Sequence, residues 1–443
     1  MEMFGNKSEG NMERIDVRTA VGRKIAEDYY SKINIPSKPT SMMDGYAVIT
    51  SQCQNNKSFT IKEKIYADGD TKDSEEVNDN LKDKKDDCSL IPHCVYVTTG
   101  SPMPLQFNCV IPVEKVIRTG NTIVLLQEAI IKDQSFIRKI GENISQGELI
   151  QRKGKILTEV DVALFSSIGI IEVKVFPKLK IGIFSNGDEV VNPFFEENSI
   201  NKLYDEQSDG LYGGKLFDSN KVMLTSLIRK HFGENVELID LGINKDTIEE
   251  VTRAIQKAEK LGCAVIISTG GVSMGEHDYV KKFFEREDKD ELKEEKEGAG
   301  LNKSIFVGRI NMKPGLPTMF ANYKDALFFG LSGNPVSCVV GYYMFTKSCI
   351  DYLIKGEYPK EYINKVKAKA LHSFTVGSDR PELVRGKVYF HNNTLICEST
   401  INNQLSSTLK SLKDFNCLIH IPSTTDYVKT NNSNVILEGT EMD

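Results

Sequence analysis

Three short polar loops, each containing glycine, follow stretches that read as β-strands: Ser185-Asn186-Gly187-Asp188-Glu189, Ser268-Thr269-Gly270-Gly271-Val272-Ser273 and Ser332-Gly333-Asn334-Pro335. Ligands of open α/β sheets bind beyond the carboxyl ends of parallel strands, so these loops are expected to line one crevice. Glycines there let backbone N–H groups approach an anion closely, and helix N-termini add positive field. Lys313-Pro314-Gly315, after the strand-like run SIFVGRINM, adds a cation nearby. A mononucleotide-like or phosphorylated ligand follows. Neither G-x-G-x-x-G nor G-x-x-x-x-G-K-[ST] occurs, so the loops make neither a dinucleotide fingerprint nor a P-loop.

The same crevice is rich in carboxylates: Asp188, Glu189, Asp218, Asp246 and Asp278. Carboxylates repel phosphate. Either they cap helices and point away, or a divalent cation bridges them to the ligand. Asp246 and Asp278 each stand at a predicted helix start, where an N-cap is the ordinary role. Glu189 lies in a loop beyond a strand and has no such structural duty.

The elements that must carry these loops are legible as alternation. Strand-like runs LKIGIF (179–184), NVELIDL (235–241), CAVIIS (263–268) and ALFFGL (326–331) alternate with helical patterns, which implies a doubly wound parallel sheet. One helix is expected from Asp246, with Ile248, Val251, Ile255, Ala258 and Leu261 on one face, an Asp246/Glu249 capping box and Gly262 as its stop. Another is expected to begin at Asn334-Pro335. Nearer the N-terminus, Arg14–Tyr30 has apolar positions at Val17, Val21, Ile25 and Ala26 that predict a helix. Short β-like runs fill the stretch up to about residue 142, and short strands return after about residue 360.

The fold class is therefore mixed α/β and multidomain: a doubly wound ligand-binding domain, β-rich N-terminal domains and a small C-terminal barrel-like β domain. The expected boundaries are 14–43 with 143–177, an elongated linker domain; 44–142, an inserted β-rich domain; 178–357, the α/β domain; and 358–443, the C-terminal β domain. The runs 67–87 and 286–300 are almost wholly charged or polar, and read as solvated insertions.

Composition removes several function classes. With 56 Lys and Arg against 62 Asp and Glu, the net charge is -6, so no global field attracts nucleic acid or anionic lipid. No apolar run of about 18 residues could span a bilayer, and no signal peptide is evident, so a cytoplasmic protein is expected. Nine cysteines, an odd number with no C-x-x-C, suit neither a disulfide framework nor a zinc ribbon. The one local grouping, Cys88 with His93 and Cys94, lacks a second ligand pair.

The ordered strings SMMDGYAV (41–48), TGSPMP (99–104) with Val113-Glu114, SNGDEVV (185–191), LFDSN (216–220), STGGVSMGEHDYVK (268–281), MKPGLP (312–317) and LSGNPVS (331–337) resemble the molybdopterin molybdenumtransferases, the family of bacterial MoeA, the plant Cnx E domain and gephyrin's E domain. The resemblance implies a homodimer of four-domain subunits that binds adenylylated molybdopterin, releases AMP and inserts molybdate with Mg2+ present. It implies that Asp44 and Thr99 act in the partner subunit's site, and that Glu189, Asp246 and Asp278 are acidic positions needed for activity. Mg2+ would lie between Asp188 and Glu189 and the pyrophosphate. The N–H groups of Gly270, Gly271 and Ser273 would hold the terminal phosphate. Arg138, Arg309, Lys313 and the loop from Ser332 through Gly333, Asn334 and Pro335 to Ser337 would gather the molybdate. The upstream adenylyltransferase is a candidate partner, as a separate chain.

Several residues depart from that pattern. Asn143 follows Gly141-Glu142 where the family has Asp; Leu316 replaces the second Lys of KPGKP; Ser332 replaces the Pro of LPGNP. A scaffold of gephyrin type with weakened catalysis is the alternative reading. A generic Mg-dependent nucleotide or sugar-phosphate enzyme is a third, and it leaves the MMDGYA, KPG and GNPVS strings unexplained.

Overall fold

The computed structural model describes residues 12–67, 71–73, 91–129, 131–194, 204–205, 210–211, 214–272, 278–286, 303–357, 365–374, 380–423 and 437–441. Much of both charged insertions, together with Cys88 and Ser273, lies outside these residues. The chain divides into two compact units. One comprises Glu27–Lys153 and Glu159–Glu172; the other comprises Met1–Ala26, Gly154–Thr158 and Val173–Asp443.

The first unit is built on a seven-stranded sheet of β1 (Gly45–Val48), β2 (Ser58–Ile65), β3 (Thr71–Asp73), β4 (His93–Val97), β5 (Cys109–Pro112), β6 (Val116–Thr119) and β7 (Thr122–Leu125). Its order is β5-β1-β4-β2-β7-β6, with β3 on the edge of β2. All four residues of β1 are buried, as a strand covered on both faces requires. Tyr46, Phe59, Ile61 and Ile111 pack on one face, and Ala47, Val95, Val97 and Val110 on the other.

The second unit carries a six-stranded sheet in the order β9-β8-β10-β13-β12-β11. It contains β8 (Leu179–Asn186), β9 (Val236–Asn244), β10 (Val265–Thr269), β11 (Lys303–Val307), β12 (Met319–Tyr323) and β13 (Ala326–Leu331). The four strands read from sequence are mutually parallel, and β11 and β12 add an antiparallel edge. Helices cover both faces. α2 (Ile248–Lys260) and α3 (Tyr279–Glu285) press Val251, Ile255, Val280 and Phe284 onto Phe184, Ile266 and Phe328. On the opposite face α1 (Asn220–Phe232), α4 (Pro335–Gly341) and α5 (Lys347–Lys355) bring Leu224, Ile228, Cys338 and Ile350 onto Ile181, Ile183, Val265 and Ile267. The alternation of Val265, Ile266 and Ile267 between the two clusters is the period of two expected of a strand sandwiched by helices. Each of these fully buried aliphatic side chains contributes about 1.5–3 kcal/mol. A closed barrel completes the unit, in the order β14 (Lys365–Ala370), β16 (Thr394–Ser399), β15 (Glu382–His391), β17 (Cys417–Ile421) and β18 (Leu437–Glu441).

Two local expectations are corrected. Arg14–Tyr30 is not a helix: Glu13–Asp16 is a strand, Val17–Thr19 a single 3-10 turn and Tyr29–Tyr30 a strand. Long-range pairing overrides the apolar spacing, since Lys24 pairs with Ile156, Ile25 with Val175 and Tyr30 with Leu149. The cap of α2 is also displaced by one residue. Thr247, not Asp246, is the N-cap, and its hydroxyl accepts from the Glu250 N–H at 3.3 Å. The string Thr247-x-x-Glu250 outcompetes Asp246-x-x-Glu249, and this releases Asp246 from capping. Thr247→Ala should lower stability by about 1 kcal/mol in urea unfolding, while Asp246→Ala should leave the helix intact.

No helix among the described residues is long and apolar enough to cross a membrane. The eight described cysteines are free and buried, and burial pushes the Cys94 thiol up to about 12, so they are core residues.

Candidate functional site

The carboxyl ends of β8, β10 and β13 open into a cavity of about 830 Å³. Glu189, Asp218, Asp246 and Asp278 line it together with Gly187, Gly270, Gly271, Gly333, Asn334 and Pro335. All three sequence-predicted loops are thus brought to one crevice. Its described lining contains four carboxylates and no Lys or Arg.

Glycines shape its floor. Gly187 has φ +141°, and a Cβ there would lie 2.8 Å from a carboxylate oxygen of Glu189, so only glycine lets Glu189 fold over the turn. Gly270 has φ +81°, and its Cβ would lie 2.8 Å from the Asn186 carbonyl oxygen. The Gly270 N–H donates to the Leu331 carbonyl at 2.9 Å. This corrects its expected role: the amide is spent on joining β10 to β13, and Gly270 serves the crevice by close approach.

Two asparagines tie the loops together. Asn186 Nδ2 donates to the Gly270 carbonyl at 3.3 Å, and Asn220 Nδ2 to the Gly333 carbonyl at 2.9 Å. Beneath them Ser185 Oγ donates to Asp218 Oδ2 at 2.8 Å, Thr269 Oγ1 to Ser185 Oγ at 3.1 Å and the Lys221 N–H to Asp218 Oδ1 at 3.1 Å. Asp218 is buried, and this donor set compensates its charge.

The acidic candidates differ in their surroundings. Asp278 caps α3, accepting from the Lys281 N–H at 3.2 Å through Oδ1, while its buried Oδ2 has no hydrogen-bond partner among the described residues. Only 5% of the residue is exposed, and burial pushes its carboxyl up to about 6 despite the Lys281 N–H bond. It both caps a helix and faces the crevice. Asp188 and Asp246 each accept the other's backbone N–H at 3.4 Å, which holds two carboxylates side by side. Asp188 is exposed and is not among the residues lining the cavity, so the metal position expected of Asp188 and Glu189 is better matched by Glu189 and Asp246.

A second cavity of about 420 Å³ shares Pro317, Ser332 and Asn334 with the first. It has the opposite character, being lined by Lys313, Arg380 and Arg385 as well as Glu382 and Ser337. Arg385 is 1% exposed; its Nε donates to Ser411 Oγ at 3.1 Å, Nη1 to the Leu383 carbonyl at 3.3 Å and Nη2 to the Leu405 carbonyl at 3.4 Å. Burial pushes its pKa down to about 10, which leaves it cationic at neutral pH. The resemblance extends to Arg380, Glu382 and Arg385, which follow the family's pattern more weakly, and the cavity brings them together with Lys313 and Ser337. Arg309 is exposed and lines neither cavity.

Asp44, Thr99 and Arg138 belong to the other compact unit. Asp44 Oδ1 accepts from the Thr99 N–H at 2.6 Å and from Thr99 Oγ1 at 2.9 Å, so these two candidates form one exposed pair. Arg138 lies on a two-residue strand paired with Thr40–Ser41.

The chain is similar to proteins of molybdenum cofactor biosynthesis. Residues 4–169 match the MoeA N-terminal region (domain I and II), and residues 182–351 match a probable molybdopterin binding domain. A molybdopterin molybdenumtransferase of Haemophilus influenzae is 29% identical over 92% of this chain and 89% of its own. The molybdenum cofactor synthesis protein cinnamon of Drosophila melanogaster is 30% identical over 92% of this chain, which spans 60% of that longer protein. Gephyrin of Dictyostelium discoideum is 28% identical over 93% of this chain, which spans 57% of it. Among solved structures, the molybdopterin biosynthesis moeA protein of Pyrococcus horikoshii OT3 has a TM-score of 0.63 at 25% identity, covering 98% of this chain and 95% of that one. The chain belongs to the molybdopterin molybdenumtransferase family, the transferases of molybdenum cofactor biosynthesis.

Proposed function

We propose that the protein is a cytoplasmic transferase that inserts molybdate into adenylylated molybdopterin, with release of AMP. The observation that carries this reading is the pairing of an acidic crevice with a basic cavity across a shared wall of Pro317, Ser332 and Asn334. A phosphoanhydride laid against four carboxylates would be repelled unless a divalent cation came with it. A tetrahedral dianion, by contrast, suits the Lys313 and Arg385 side.

The crevice's donor set is hard oxygen, which suits Mg2+. Among the described residues no three acidic, His or Cys side chains converge as a metal cage, and Mg2+ commonly takes only one or two carboxylates and completes its shell from phosphate and water. Glu189 and Asp246, with Asp188 beside them, are the residues that would hold it. Bound there, it would offset the negative charge that develops on the leaving phosphate. Asp278, buried at the end of α3, is placed to hold or give up a proton near neutral pH. Gly271 and the Ser332–Pro335 loop shape the walls around the ligand. Lys313, Arg385 and Ser337 would orient the oxyanion on the other side of the shared wall. We further infer a homodimer in which the Asp44–Thr99 pair serves the partner subunit's crevice, and an upstream adenylyltransferase that supplies the substrate.

The test is AMP release from adenylylated molybdopterin by purified protein, with molybdate and Mg2+ added or omitted. Release stimulated by both, and reduced at least about 10²-fold by Glu189→Ala, is the expected result. Tight binding without AMP release would sink the catalytic reading and favour the scaffold.

A further inference from the structure

The basic cavity contains a carboxylate that a site for an oxyanion would be expected to avoid. Glu382 Oε1 lies 2.5 Å from Lys313 Nζ, and both residues line the cavity. Their backbones are pinned to each other, since the Lys313 N–H donates to the Pro381 carbonyl at 2.9 Å and the Leu383 N–H to the Lys313 carbonyl at 2.7 Å. The pairing is therefore the resting arrangement of the loop against β15, not a chance contact of two long side chains. The side chains remain 52% and 22% exposed, and an ion pair so open to water is weakly held. Leu316, on the same wall, supplies no second ammonium for the pair to share.

We propose that Glu382 is an internal competitor for the oxyanion cavity: it occupies Lys313 until a tetrahedral dianion displaces it, and so sets the affinity of the site. This rests on reading the cavity as the molybdate site. A monoanion that displaced the carboxylate would exchange one unit charge for another and leave Glu382 facing it across the cavity. A dianion feels the attraction of Lys313 and Arg385 doubly, but it also feels the displaced Glu382 carboxylate doubly, so the carboxylate lowers its affinity by more than that of a monoanion. Glu382 thereby holds the affinity for molybdate below what a bare Lys and Arg pair would give.

The experiment is equilibrium dialysis of the full-length protein against sodium molybdate, with sodium perchlorate as a tetrahedral monoanion of similar shape. Wild-type protein should take up molybdate and resist displacement by a large excess of perchlorate. Glu382→Gln, which keeps shape and removes charge, should bind molybdate about tenfold more tightly, with a smaller gain for perchlorate. Unchanged or weaker molybdate binding by a variant with an unaltered melting curve would overturn the proposal. Glu382→Ala is the second variant, which keeps the test open if Glu382→Gln does not fold, and molybdate binding no tighter than wild type in a folded Glu382→Ala protein would overturn the proposal. If neither protein takes up molybdate at millimolar concentration, the oxyanion reading of the cavity falls and the role of Glu382 falls with it. Uptake that is indifferent to Glu382→Gln removes only the competitor.

Discussion

Asp278→Asn should be more stable than the wild-type protein at pH 8 and nearly inactive. Burial raises the Asp278 carboxyl from its ordinary 3.8 to about 6 in the folded protein, because the charged form is desolvated at the end of α3. The sign follows from linkage. Below about pH 4 the carboxyl is protonated in both states and costs nothing; between about 4 and 6 only the unfolded chain ionises. Above about 6 the folded protein carries the full penalty, up to about 3 kcal/mol. An amide keeps the oxygen that accepts from the Lys281 N–H, and Asn is as good an N-cap as Asp. The buried second position still lacks a partner, so the net gain at pH 8 should be about 1–2 kcal/mol. At pH 4 the two proteins should differ little. Urea unfolding at both pH values decides it, and a variant no more stable at pH 8 would show that the carboxylate is not strained. Activity should fall about 10²-fold or more, because an amide cannot exchange a proton with the ligand.

Gly45→Ala should unfold the unit that contains the seven-stranded sheet. Gly45 sits in β1 between β4 and β5, paired with Val97 on one side and Pro112 on the other. A Cβ there would collide with the Ile111 carbonyl oxygen and lie 2.9 Å from Val110 Cγ1. The obstacle is backbone held in a sheet and cannot swing aside, so a cost of about 3 kcal/mol or more is expected. Gly308→Ala is the control, since its Cβ would meet only Ile305 Cγ2 at 4.0 Å. Thermal unfolding should place the control within about 0.5 kcal/mol of wild type. A Gly45→Ala protein that melts like the control would contradict the close packing of β1.

The sequence made the doubly wound sheet legible because four apolar runs of strand length alternate with helical faces, and that period survives any tertiary detail. It made the three loops legible because their glycines stand directly after those strands. It failed at Arg14–Tyr30, where pairing with residues more than a hundred positions away decides the backbone, and no local spacing records such partners. It also misplaced the α2 cap, because Asp246 and Thr247 offer equally good caps one residue apart. That error concerned function, since Asp246 lines the crevice and does not cap the helix. The asparagine ties were invisible for another reason: their partners are backbone carbonyls, which every sequence contains.

The wall common to the two cavities has a thermodynamic consequence. Pro317, Ser332 and Asn334 face both sides, so a ligand that shifts this wall from one side changes the shape met from the other. Linkage then requires the effect to be mutual: whatever factor the pterin ligand applies to oxyanion affinity, the oxyanion must apply to pterin affinity. The order of addition is thus free at equilibrium, and a cell poor in molybdate would hold its pterin at an affinity altered by that same factor.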